Sequence, residues 1–168
     1  MPGGRELEKR ANKLNLKKRL NKEALILQIP VPIIMTKNGI VPKQSTVDFA
    51  GLIKGGKFIA FDAKETKVKT RFDLSNIHQH QLEYLMMVRE LGGLAFFLIW
   101  FKSLYNEDAF IVPISVVEHF WFVSERKSIP FEDLKKHSKL VKVDSYLDFL
   151  DDEKFLKDLF NEQIHGST

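Results

Sequence analysis

The chain has 168 residues, 44% of them hydrophobic and 29% charged, with 14 Phe and no Cys, the length and balance of one soluble domain with a full core. The missing Cys excludes disulfide frameworks, thiolate zinc sites and Cys nucleophiles, and leads us to expect a reducing, cytoplasmic setting. The net charge of +4 is unevenly spread: residues 1–75 hold 16 Lys/Arg against 7 Asp/Glu, residues 76–168 hold 10 against 15, so the first half is the one that suits a polyanion.

After Met1 the chain reads Pro-Gly-Gly and then alternating charges, which is not the pattern of a signal peptide. A basic N-terminal helix is expected within residues 1–23, with Leu7, Ala11, Leu14 and Leu20 as a thin apolar stripe. Its Lys/Arg face, Arg5 and Lys9 included, is either a solvated cap or a phosphate-contacting arm. Ala24 to Ile29 reads as a short strand ended by Pro30 and Pro32, which deny ladder donors. An excursion over residues 33–45 turns at Thr36-Lys37-Asn38-Gly39, Asn-Gly being a strong turn signal, and places Lys37 and Lys43 in exposed positions.

Ser45 to Glu65 reads as a β-hairpin bent at Gly55-Gly56, with Thr46 and Asp48 on one arm and Asp62 and Lys64 on the other. Side-chain alternation puts Asp62 and Lys64 on one face and Ile59, Phe61 and Ala63 on the other. Carboxylates on apolar strands need a partner charge or a metal to offset their desolvation. A two-residue turn would pair Asp48 with Ala63 and separate the acids. Their convergence therefore requires an odd loop or a bulge, for which Gly51 is the natural place.

Thr66 to Asp73 is a basic connector bearing Lys67, Lys69 and Arg71. The helix after it should be capped by Ser75 or Asn76 and ended by Gly92-Gly93. Ile77, Tyr84, Leu85, Val88 and Leu91 form its apolar stripe, with Gln81 near the middle. A buried Gln needs both ends of its amide satisfied, either by backbone or by a metal site that its oxygen or a bound water completes. His78 and His80 fall on different faces if both are helical, so we expect solvated or phosphate-contacting roles and not metal ligation. Leu94 to Phe101 is a continuous apolar run, too short for the ~20 residues of a membrane span and typical of a central strand covered on both faces. Ala109 to Ile114 is its expected partner. Ser115 should cap a segment whose Phe120-Trp121-Phe122 reads as core. A helix starting at Ser128 and ending at Lys136, a weak strand Leu140–Val143 and an amphipathic helix over 146–164 complete the chain.

Two carboxylates with an amide oxygen make a hard oxygen site suited to Mg²⁺ or Mn²⁺ and not to zinc. No P-loop, dinucleotide fingerprint or nucleophilic-serine signature is present. The order of helix, strand, Asp-bearing strand, Asp-x-Lys strand and helix with inward Gln resembles the PD-(D/E)XK nuclease core. More closely, Ser45-Thr46-Val47-Asp48-Phe49, Phe61-Asp62-Ala63-Lys64-Glu65-Thr66-Lys67 and Asn76-Ile77-His78-Gln79-His80-Gln81 resemble the RecU Holliday-junction resolvases, as do Pro30, Pro32 and Arg126-Lys127-Ser128-Ile129. The resemblance implies a single α/β domain over residues 1–168, with a restriction-endonuclease-like core of mixed central β-sheet flanked by helices. It also implies a homodimeric, Mg²⁺-dependent endonuclease acting on four-way DNA junctions in recombination and repair. By the same match Thr46, Asp48, Asp62 and Gln81 would bind the metal and Lys64 would stabilise the transition state, so that Asp48, Asp62 and Lys64 are the catalytic candidates. From the charge distribution, and not from the match, Arg5, Lys9, Lys37, Lys43, Lys67, Lys69, Arg71 and His78 are the expected DNA contacts. Three features depart from the family pattern: Asp62 stands where Glu is usual, the hairpin is one residue longer at Lys54-Gly55-Gly56-Lys57, and the stalk between Pro32 and Ser45 is shorter. A less structure-selective nuclease and a non-catalytic recombination accessory are the competing expectations.

Overall fold

A computed structural model describes residues 5–43 and 46–148, with residues 152, 154, 156 and 157 near the end. Its centre is a six-stranded sheet in the order β1-β4-β5-β7-β8-β10. The strands are β1 (Ala24–Gln28), β4 (Phe49–Ile53), β5 (Lys57–Thr66), β7 (Leu94–Phe101), β8 (Asp108–Pro113) and β10 (Lys139–Lys142). β5 and β7 run parallel, joined through α2 (Gln79–Glu90), and the other neighbours are antiparallel. β2 (Ile33–Thr36) and β3 (Gly39–Pro42) form a separate exposed hairpin, and β6 (Arg71–Asp73) pairs with β9 (Ser128–Pro130).

One face of the sheet is covered by α1 (Arg5–Leu20) and the other by α2, α3 (Ile114–Glu118) and α4 (Phe131–His137). β7 is buried along its whole length, as a strand with helices on both faces must be. On the α1 side Phe49, Phe61 and Phe96 are direct cross-strand partners, and their rings stack in a row with centroids 5.0 and 4.9 Å apart. Such pairs add attraction beyond simple burial and pin the register of three strands. Gly51 lies where β1 packs close against β4: a Cβ there would stand 1.9 Å from the Leu25 carbonyl oxygen.

Several local expectations change. Leu7, Ala11 and Leu14 face the core, but Leu20 at the end of α1 is exposed, while Asn15 and Lys18 are buried. Lys18 is neutralised by Glu23 and Asp148, and Arg10 by Glu107 and Asp144, so part of the basic helix serves the fold. Leu74–Asn76 is a 3-10 turn, and α2 begins only after His78. Leu82 joins the core from α2, whereas Leu91 is exposed. Pro113, not Ser115, precedes α3, and Ser128–Pro130 is strand before α4 begins at Phe131. Phe120 is buried, but Trp121 is half-buried and Phe122 exposed. Tyr146 and Leu147 lie in a buried turn; most of the helix expected over 146–164 falls outside the described residues, as do Ser45 and Gly3-Gly4. Among the described residues no helix is long and apolar enough to cross a membrane.

Candidate active site

The loop between β4 and β5 holds Lys54, Gly55 and Gly56, because Ile53 pairs with Lys57. It is odd, as convergence of the acids requires, and no bulge is needed. Gly55 and Gly56 sit at φ +95° and +80°, a left-handed region that glycine enters without steric cost. The register then runs up to Phe49↔Phe61, so the next residues along, Asp48 and Asp62, stand opposite each other on the α2 side.

At this point the carboxylates take over from the backbone ladder. The Asp48 N–H donates to Asp62 Oδ1 at 3.0 Å, and the Ala63 N–H donates to Asp48 Oδ2 at 2.9 Å. β1 holds Asp48 from the other side, the Ile29 N–H donating to its carbonyl at 2.7 Å. Lys64 Nζ lies 2.9 Å from Asp62 Oδ2 and donates to Gln81 Oε1 at 3.0 Å. Gln81 Nε2 donates to Asp62 Oδ1 at 3.2 Å. Asp62 is fully buried, yet its Oδ2 has no hydrogen bond of good geometry, and among the described residues it is the Lys64 ammonium that offsets its charge. That orphaned anionic oxygen beside a second carboxylate is a donor set fit for a hard divalent cation.

Burial, then the Asp62 carboxylate, pushes Asp48 up to about 8, against the bond from Ala63. Two adjacent acids in a partly dry site resist double ionisation. Glu8 on α1 also faces this region: burial, then Asp62, raises it, and it adds to the rise at Asp48. Gln28 Nε2 donates to Glu8 at 3.1 Å. Sequence reasoning missed Glu8, which the sequence presents only as one of two acids, with Glu6, in the first turn of a mostly basic helix. Among the described residues no three Asp, Glu or His side chains converge closely enough to cage an ion.

The Asp48 shift sets a pH dependence for the metal-free chain. Below the ordinary 3.8 both folded and unfolded chains hold the proton, and between 3.8 and about 8 only the folded chain does. Stability therefore falls as pH rises through that window, by up to about 1.4 kcal/mol per unit, and the loss is complete above it. Thermal melts in EDTA from pH 5 to 9 should show Asp48→Asn losing this slope and gaining on the wild type toward pH 9. Parallel curves for the two proteins would show that Asp48 titrates normally.

Gln81 is buried and its amide is satisfied at both ends. Its Oε1 also accepts from the His78 N–H at 3.1 Å, so the residue that reaches the acids closes the start of α2 as well. His78 therefore precedes the helix, and its ring stacks on that of His80 with centroids 5.6 Å apart, contrary to the different-faces expectation. Thr46 is exposed and is not drawn into the contacts that join Asp48, Asp62, Lys64 and Gln81. Lys9, Lys37, Lys43, Lys67, Lys69, Arg71 and His78 are all exposed; Arg71 is engaged by Asp73 at 2.8 Å. Arg5 opens α1, and its side chain is outside the described residues.

The family model described as recombination protein U matches residues 3–152. A relative from Oenococcus oeni named Holliday junction resolvase RecU is 33% identical over 174 residues, covering 94% of this chain and 86% of that one. Another of that name, from Lactobacillus acidophilus, is 32% identical over 151 residues, covering 83% and 70%. A third, from Staphylococcus carnosus, reaches 44% over 96 residues, 55% of this chain and 45% of that protein. With the match running from α1 through β10 and across every residue of the acid pair and its partners, the chain belongs to the RecU family.

Proposed function

We propose that the protein is a divalent-metal-dependent endonuclease, with Mg²⁺ as the ion, that hydrolyses phosphodiesters of four-way DNA junctions during recombination and repair. The observation that carries this reading is the acid pair locked by reciprocal backbone bonds, with Lys64 and Gln81 against it. Asp48 and Asp62 would hold the ion, with Gln81 and Thr46 completing its surroundings directly or through water. Bound there, the ion polarises the phosphate and lowers the pKa of an attacking water.

The residues themselves do the rest. Asp62 and Asp48 are fixed before substrate arrives, so little reorganisation is left for the reaction. Lys64 is held 2.9 Å from Asp62 Oδ2, beside where the ion would be held, and would offset charge developing on the phosphate oxygens. Gln81 fixes Lys64 and Asp62 together, which sets the direction of the ammonium. Lys9, Lys67 and Lys69, with Lys37 and Lys43 on the short stalk-like excursion over 33–45, provide phosphate contacts.

A homodimer fits a nearly two-fold substrate, in which opposed strands must be nicked together. An uncovered apolar row supports it: Leu25 pairs with Leu52 and Leu52 with Phe58, and all three are exposed on the α2 side of the sheet edge. A second copy seated there would bury a row that otherwise stays in water.

The test is cleavage of junction, flap and linear duplex in Mg²⁺, with sedimentation of the free chain. Preferential cutting of the junction by a species of twice the chain mass is expected. Equal cutting of all three substrates would instead indicate a less selective nuclease, and binding without cutting in Mg²⁺ or Mn²⁺ an accessory protein.

A further inference from the structure

Beside the start of α2 lies a cavity of about 400 Å³ lined by Leu74, Ser75, Ile77, Trp121 and Lys127. Leu74 and Ile77 are buried and form an apolar floor. Ser75 and Lys127 are exposed at the rim, and Trp121 is half-buried. The walls come from two segments that are tied together, since the Leu74 N–H donates to the Lys127 carbonyl at 3.0 Å.

Trp121 sits on a local irregularity of the helix. His119–Val123 is a π-helical turn continuing α3. Phe120 enters the core from this turn, while Trp121, the next residue, lines the cavity. Such turns recur at functional sites. Trp121 is half-buried and packs against the core on one side, and no aromatic ring among the described residues stacks on it, so the part of the indole that lines the cavity is the part a flat partner would meet.

The position relative to the acids is the second observation. Ile77 is followed directly by His78, whose N–H is bonded to the same Gln81 oxygen that accepts from Lys64. One short turn of chain thus links the cavity floor to the residue that orients the ammonium. The cavity size falls in the range of small-ligand sites. An aromatic plane over an apolar floor, with a hydroxyl and an ammonium at the rim, is the chemistry that recognises an unstacked base and its phosphate.

We propose that this cavity receives one nucleobase of the DNA strand beside the phosphate that is cut, with Trp121 stacked on the base and Lys127 on the adjoining phosphate. The proposal rests on the nuclease reading above and adds a subsite to it. Bases at an exchange point have already lost part of their stacking, so drawing one out costs least there. Capture of the base would hold the neighbouring phosphate in register with Asp48 and Asp62.

The test uses the full chain and four-way junctions carrying 2-aminopurine at single positions on either side of the exchange point, bound in EDTA. At one position the emission of the wild-type complex should differ from that of Trp121→Ala, and the variant should bind about tenfold more weakly. Trp121→Phe, which retains a ring and guards against a folding defect, should keep most of the affinity. Lys127→Gln, a surface change, should lower the salt slope of binding by about one. The proposal is overturned if emission and affinity match at every position for wild type and Trp121→Ala, or if Lys127→Gln leaves the salt slope unchanged. A wild type that binds and cuts junctions while showing that flat response loses only the base subsite. A wild type that neither binds nor cuts removes the nuclease reading itself.

Discussion

Asp62→Asn is expected to lower junction cleavage on the order of 10³-fold in Mg²⁺ while leaving junction binding in EDTA close to wild type. The substitution is nearly isosteric. Its amide oxygen can still accept from the Asp48 N–H and from Gln81 Nε2, the two donors that Asp62 Oδ1 serves at 3.0 and 3.2 Å. What it removes is the anionic Oδ2, buried, without a hydrogen bond, and balanced by Lys64 at 2.9 Å. The lost charge has a second effect. Because Asp62 is among the causes that hold Asp48 high, Asp48 should return toward its ordinary range, and the decline of metal-free stability between pH 4 and 8 should become shallower. A variant that cuts within tenfold of wild type would refute the assignment of Asp62, whatever its melting temperature.

The second large effect is expected at a residue with no polar atoms in its side chain. Gly51→Ala should destabilise the chain by more than about 4 kcal/mol or abolish folding, measured by denaturant unfolding of metal-free protein. The added carbon would stand 1.9 Å from the Leu25 carbonyl oxygen and 2.8 Å from the Ile26 Cα. Those are backbone atoms of the adjoining strand, so no side chain can move aside, and separating β1 from β4 would break five paired positions, Ala24↔Ile53 to Gln28↔Phe49. Loss of that edge would also release the Ile29 bond to the Asp48 carbonyl. A variant as stable as wild type would mean that the two strands can part at little cost.

How legible was this in the residues alone? The buried run Leu94–Phe101 announced the central strand, because only a strand covered on both faces has no polar side. The odd loop at Lys54-Gly55-Gly56 could be reduced to a parity condition, since side chains alternate with period two and the acids had to meet. Gly51 was singled out for a bulge, whereas its reason is the close approach of β1, a contact between residues far apart in sequence. The start of α2 was misread for a related reason. Ser75 and Asn76 are good caps locally, but the Gln81 side chain, three residues on from His78 and bonded back to it in a capping box, puts the cap at His78, two or three residues later. Glu8 was invisible, because its proximity to the acids exists only once α1 is laid across the sheet. The core reading of Phe120-Trp121-Phe122 holds for Phe120 and in part for Trp121, which packs against the same cluster, and fails at Phe122, which is exposed.

The row of rings under α1 gives the acid pair an unexpected dependence. Phe49 follows Asp48 and Phe61 precedes Asp62, so each acid is one peptide bond from a ring in the stack Phe49–Phe61–Phe96. The separation of the two carboxylates is thus inherited from hydrocarbon packing on the opposite side of the sheet. Drift in that packing could silence the site with every polar residue intact. Transplanting this acid pair onto another sheet would therefore require carrying the aromatic stack along as its gauge.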